Sequence, residues 1–175
     1  MTGVADWKAA LRTHLDQLAV VFEQRFGYPF DEESNFVSDA DQELPTGGDA
    51  TAFPPALADF YAEVGEVSLP DVNNGYFIHP ADRLPVAADW GLPTRVDVGS
   101  IGEVATFGSD GGGGFFCLAR HRGVIFHLPP GRVDDGVYTG GLGDPRLIAD
   151  DFEGFLARIL VVIGEFVASG ATVEL

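Results

Sequence analysis

The stretch Val104-Ala105-Thr106-Phe107-Gly108-Ser109-Asp110-Gly111-Gly112-Gly113-Gly114-Phe115-Phe116-Cys117-Leu118-Ala119 decides the fold. It reads as two apolar strands, over 103–107 and 115–119, joined by a glycine loop whose backbone needs positive φ values. A further strand, Val124 to Leu128, follows after Arg120-His121-Arg122-Gly123, a turn of hairpin length ending in glycine. Strands this close in sequence leave no room for helical crossovers, so they form an antiparallel meander.

Upstream, Gly75 to His79 reads as another strand, entered through the turn Asp71-Val72-Asn73-Asn74, and Arg95 to Val98 as one more. Downstream, Val137 and Tyr138 add a short edge strand after the turn Asp134-Asp135-Gly136. Helices flank this block. Trp7, Leu11, Leu15, Leu18, Phe22 and Phe26 recur at spacings of three and four, which predicts a helix over about 6–26. A second helix is expected from Phe53-Pro54-Pro55 through Leu57, Phe60, Tyr61 and Val64, with Gly65 as its left-handed stop. At the end of the chain, Asp150-Asp151-Phe152-Glu153 supplies a helix start. Phe152, Phe155, Leu156, Ile159, Leu160, Ile163, Phe166 and Val167 form a broad apolar stripe that needs a sheet to cover. The expected architecture is therefore α+β: an antiparallel meander with helices packed mainly on one face, in a single domain spanning 1–175. Residues 31–50 carry Asp31, Glu32, Glu33, Asp39, Asp41 and Glu43 with no basic residue among them, then Pro45, Gly47 and Gly48, and read as an acidic loop.

Charge is the unusual property. Twenty-seven acidic residues face ten basic ones, for a formal net charge of −17, and Lys8 is the only lysine. Such a field repels nucleic-acid phosphates and anionic lipid headgroups and attracts basic proteins. The 46% apolar content is that of a globular chain able to fold without metal or disulfide staples. The single cysteine, Cys117, lies in an apolar run, where a buried inert thiol is expected and a reducing cytoplasmic setting fits. The N-terminal residues have no signal-peptide character, and the most apolar window, Phe155 to Ile163, is too short to span a bilayer.

Familiar chemical motifs fail on spacing. The glycine run is no P-loop, because no Lys-Ser/Thr pair follows it, and the dinucleotide pattern lacks its third glycine. Ser109 has Gly111 two residues after it but Phe107 two residues before it, so it makes no nucleophile elbow. Asp39, Asp41 and Glu43 have Leu44 where a calcium loop needs glycine. His14, His79, His121 and His127 are scattered, and no second cysteine completes a zinc set. His79 and His127, both on expected strands, are the two that could converge. The residues imply no metal, no cofactor and no catalytic group.

Four pieces in order resemble the SMI/KNR-type proteins of the SUKH superfamily. They are Phe53-Pro54-Pro55 through Phe60-Tyr61 to Gly65, the strand–loop–strand 104–116, the strand Val124-Ile125-Phe126-His127-Leu128, and the closing Phe152-Glu153-Gly154-Phe155-Leu156, together covering roughly 50–165. The resemblance implies an α+β fold with flanking helices and no catalytic residues to carry over. It also implies one of two roles. Bacterial members are largely regarded as immunity proteins that bind and block a cognate toxin, and fungal members as regulatory proteins. The four consecutive glycines and the acidic stretch before residue 50 depart from the commonest pattern.

The leading expectation is thus a cytoplasmic immunity protein that occludes a basic toxin domain, such as a nuclease, by mimicking the phosphates it binds. Its contact candidates are Asp31, Glu32, Glu33, Asp39, Asp41 and Glu43 together with the loop Asp110, Gly111, Gly112, Gly113 and Gly114. A regulatory scaffold of the same fold is the second reading. A small-ligand binder or enzyme using a pocket near His79, His127 and the glycine loop is the third.

Overall fold

The computed structural model describes residues 3–41 and 53–175. In chain order the elements are α1 (Val4–Phe26), β1 (Phe36–Asp39), α2 (Ala58–Tyr61) entered through a 3-10 turn at Pro55–Leu57, β2 (Val64–Leu69), β3 (Tyr76–Ile78), β4 (Arg95–Val96), β5 (Gly102–Asp110), β6 (Phe115–Ala119), β7 (Ile125–Leu128), β8 (Gly131–Asp134), β9 (Val137–Gly141), β10 (Arg146–Ala149) and α3 (Phe152–Ser169). The α+β class is as expected, and the long helices fall where the apolar stripes put them.

The sheet runs β1-β2-β3-β5-β6-β7-β10 through antiparallel ladders. β5 is long enough to share one edge between two partners. Its C-terminal half pairs with β3 through Ile78↔Gly108, and its N-terminal half pairs with β4 through Arg95↔Glu103. Beyond β4 the sheet continues to β9 and β8, and the β4–β9 ladder is parallel. The sheet is thus mostly antiparallel, as expected, with the β4–β9 ladder parallel.

Two cores follow from strand alternation. On the helix side, Ala105, Phe107, Phe116, Leu118, Ile125 and Ile148 pack against Trp7, Leu11, Leu18 and Phe22 of α1 and Phe155, Ile159 and Ile163 of α3. The Phe107 ring lies 5.1 Å from both Phe152 and Phe155, in the edge-on geometry aromatic pairs favour. On the opposite side, Val96, Val104, Cys117, Ala119, Phe126, Leu128 and Tyr138 form a smaller core. Cys117 is fully buried, 3.1 Å from the Thr106 hydroxyl, and burial pushes its thiol up to about 12, as an inert thiol requires.

The two long helices are stitched by polar contacts. Trp7 Nε1 donates to Leu156 O at 2.8 Å inside the core. Arg25 donates to Val167 O and Phe166 O, carbonyls of the last turn of α3, the latter also accepting from Gly170 N. The Asp151 side chain caps the start of α3 by accepting from Gly154 N at 2.7 Å. Two of the outer strands are guarded by arginines: Arg12 of α1 donates to Val37 O of β1, and Arg158 of α3 to Ile148 O of β10. A charged side chain on an edge carbonyl discourages a foreign strand from pairing there.

Three expectations need correction. The acidic stretch is not a loop up to Asp39, because 36–39 forms β1, while Glu43, Pro45, Gly47 and Gly48 lie outside the described residues. The second helix ends early, and Val64 and Gly65 belong to β2. Gly65 serves close approach rather than a helix stop, since a Cβ there would meet Asp39 O of β1 at 2.8 Å. Strands β1, β2, β8 and β10 are additional to those expected from local pattern.

Candidate functional site

The glycine loop is organised by the residue before it. Asp110 Oδ1 accepts from Gly112 N and Gly114 N, both at 2.8 Å. Gly113 N donates to Asp110 O, and Gly111 N donates across to Gly75 O. All four glycine amides are therefore used within the chain, two of them on the chain's own carboxylate. A glycine loop that binds a foreign phosphate needs those amides unpaired. Two of the glycines are required by close approach. A Cβ on Gly111 would collide with the Asn74 carbonyl, and one on Gly114 would stand 2.5 Å from His127 Nε2 and 2.9 Å from Leu128 O. Gly113 has φ +85, where a side chain is strained.

The second carboxylate oxygen, Asp110 Oδ2, lies 2.7 Å from His127 Nε2. Both side chains are nearly buried, 11% and 15% exposed. Burial raises the Asp110 pKa, but the His127 hydrogen bond, the loop amides and the attraction to His127 outweigh it and hold the carboxyl below its ordinary value. A cavity of about 290 Å³ opens beside the pair, lined by Tyr76, Asn73, Phe116, Arg146 and Val173 among others. Asn73, itself at φ +58, closes one side. Its Nδ2 donates to Val173 O and its Oδ1 accepts from Val173 N, tying the segment after α3 to the β2–β3 turn.

His79 is elsewhere. His127 stands opposite Phe116 in the ladder, and Phe116 belongs to the helix-side core. His79 bonds Ser109, with Nε2 3.0 Å from Oγ, and Ser109 stands opposite Phe115, which packs on the other core. The two histidines therefore lie on opposite faces and do not converge. His79 is buried, its Nδ1 has no partner among the described residues, and desolvation together with the charge of Arg83 lowers its pKa to about 4.

The acidic candidates divide by role. Asp31 Oδ1 accepts from Glu33 N and Ser34 N, and Oδ2 from the Ser34 hydroxyl, so this carboxylate shapes its own turn. Asp39 Oδ1 is shared by Lys8 Nζ at 2.8 Å and Arg12 Nη2 at 3.0 Å; these two cations hold its pKa down and fasten α1 to β1. Glu32, Glu33 and Asp41 are exposed, and Glu43 lies outside the described residues. Three ladders separate β1 from β5, so the acidic segment and the glycine loop form two patches rather than one.

The cations reveal what composition concealed. Besides Lys8 and Arg12, Arg25 and Arg158 cap carbonyls, and Arg95, Arg132 and Arg146 pair with Asp97, Asp134 and Glu174. Arg83 and Arg122 sit over the Trp90 and Phe126 rings, and Arg120 is engaged as well. Every basic side chain of the sequence is committed within the chain, while Asp16, Glu32 and Glu33 meet no cation among the described residues. Asp16 was not legible as a candidate, since it reads as an ordinary solvent-facing position of α1.

No protein-family model matches the chain, and no curated protein matches it. Among the described residues, no helix is long and apolar enough to cross a membrane.

Proposed function

We propose that this chain is a protein-binding domain that captures a basic partner through its acidic surface, and that it acts as a cytoplasmic immunity protein of SUKH type, blocking a basic toxin domain. The observation that supports this reading is the commitment of every basic side chain to an internal partner. In a chain of net charge −17, exposed carboxylates such as Asp16, Glu32 and Glu33 then meet no cation among the described residues. Such a surface speeds encounter with a positively charged domain and disfavours anionic partners. The resemblance of residues 50–165 to SUKH proteins supplies the biological class. The glycine loop contributes rigidity, since its amides are already occupied.

The test is protection. A basic toxin domain recovered from the host of origin is expressed in a naive host with and without this chain. Restored growth that depends on a stable complex supports the reading. Growth arrest unaffected by the chain, or a complex with a non-toxic housekeeping protein, moves the function to the regulatory scaffold.

A further inference from the structure

Between α1 and the segment Asp31–Val37 runs a groove of about 220 Å³. Its floor is apolar, from Leu15, Ala19, Phe30 and Phe36, and its walls carry Asp16 and Glu32. We propose that this groove is the socket for an arginine or lysine side chain of the basic partner. The inference rests on the reading above and adds the place of contact.

Four observations carry it. First, the volume is below the roughly 300 Å³ at which small-molecule pockets begin, and suits a single long side chain. Second, the lining has the order such a side chain needs, with apolar surface for the methylene stem and carboxylates for the head group. Third, the chain itself supplies an example. Arg12, on the same groove, lies along this wall and places its guanidinium on Val37 O and Asp39. Fourth, the carboxylates here are not accounted for by helix electrostatics. Asp16 lies mid-helix in α1, beyond the first turn where the dipole would stabilise a carboxylate, and Glu32 lies outside any helix. One turn along α1 from Asp16, Val20 is 85% exposed, the kind of apolar spot that a docking surface presents within a charged rim.

A second groove lies between α2 and the start of α3. It is lined by Phe60, Leu156 and two other acids, Asp59 and Glu153. Of those acids, Glu153 lies in the first turn of the long helix α3, where the helix dipole stabilises a carboxylate, so it needs no ligand to explain it.

The experiment titrates the full chain with a short oligo-arginine peptide at about 150 mM salt, where long-range attraction is screened, and follows backbone amide NMR shifts. Two charge-matched variants accompany it, Asp16→Asn with Glu32→Gln, and Asp59→Asn with Glu153→Gln. All four positions are on the surface, and the amide spectrum itself reports that each variant is folded. The expected result is a set of shifts centred on 15–19 and 30–37, with affinity about tenfold weaker in the first variant and changed by less than about twofold in the second. Equal weakening in both variants, shifts centred on another patch, or the absence of binding would each overturn the socket. The socket and the parent reading fail separately. A basic partner captured with unchanged affinity by Asp16→Asn/Glu32→Gln refutes the socket alone. Arginine binding in the groove with no toxin blocked refutes the immunity role alone.

Discussion

Asp110 Oδ2 and His127 Nε2 stand 2.7 Å apart at the foot of the glycine loop, while the other oxygen of the same carboxylate gathers two loop amides. One side chain thus links β5, the loop and β7. Removing it as Asp110→Ala leaves His127 and two amides without their acceptor, at a cost of about 2–3 kcal/mol. The melting temperature is expected to fall by about 5–10 °C. Gly114→Ala is expected to cost at least as much, because its Cβ meets His127 Nε2 and Leu128 O. Gly112→Ala meets only side-chain atoms of Asn74 and Asp110, at 3.0 and 3.2 Å, and is expected to cost about 1 kcal/mol or less. Calorimetry of the three variants checks this order, and equal losses at Gly112 and Gly114 would contradict it.

His79 makes stability depend on pH. Its folded ring takes a proton near pH 4, the unfolded ring near 6.5. Between those values the unfolded chain binds more protons, so stability falls as pH drops from about 6.5 towards 4, by about 3 kcal/mol in all. Asp110, with its carboxyl held below the ordinary range, contributes stability that is present above the unfolded carboxylate value and is lost only at the acidic end, as pH falls through its lower folded value. His79→Gln is expected to remove the upper part of this slope. Denaturant unfolding at several pH values in that window measures it, and parallel slopes in variant and parent would contradict the assignment.

The arginines on the outer strands predict solution behaviour. Arg158→Ala exposes Ile148 O on β10, and Arg12→Ala exposes Val37 O on β1. Both variants are expected to associate on warming at concentrations where the parent stays monodisperse, by opening an edge to strand pairing. Light scattering reads the effect, and unchanged scattering in both would remove the guarding role.

Trp7 and Trp90 report different surroundings. Trp7 is buried, with Nε1 bonded to Leu156 O, while Trp90 is 61% exposed beneath Arg83. Trp7→Phe is expected to cost about 1–2 kcal/mol through the lost hydrogen bond and repacking. It should leave the red-shifted, readily quenched emission of Trp90, while Trp90→Phe leaves blue-shifted emission that resists acrylamide. Indistinguishable quenching in the two variants would contradict the burial of Trp7.

The parts of the fold visible in the sequence are those whose signal is local. The α1 and α3 stripes repeat at helical spacing for several turns, and 115–119 and 125–128 are apolar runs bounded by glycine. The invisible parts depend on distant partners. Val64 continues the apolar spacing of Phe60 and Tyr61, so a helix reading runs on through it, yet pairing of β2 with β1 and β3 takes Val64 and Gly65 into the sheet. The β4–β9 pairing joins residues about forty positions apart and leaves no local trace. The site divides in the same way. Asp110, expected from sequence as a partner contact, instead anchors the glycine loop, the role an aspartate just before such a loop commonly takes. Asp39 reads as a free surface acid until Lys8 and Arg12, about thirty residues earlier, are seen to enclose it.

The central claim is capture of a basic protein by an acidic surface, and affinity recovery from the host of origin at low and high salt tests it most directly. The account predicts a specific, strongly basic domain retained at low salt, weakened at high salt, and weakened further by replacing Glu32 and Glu33 with glutamine. Retention of an acidic or neutral partner, unmoved by salt or by those replacements, would contradict it.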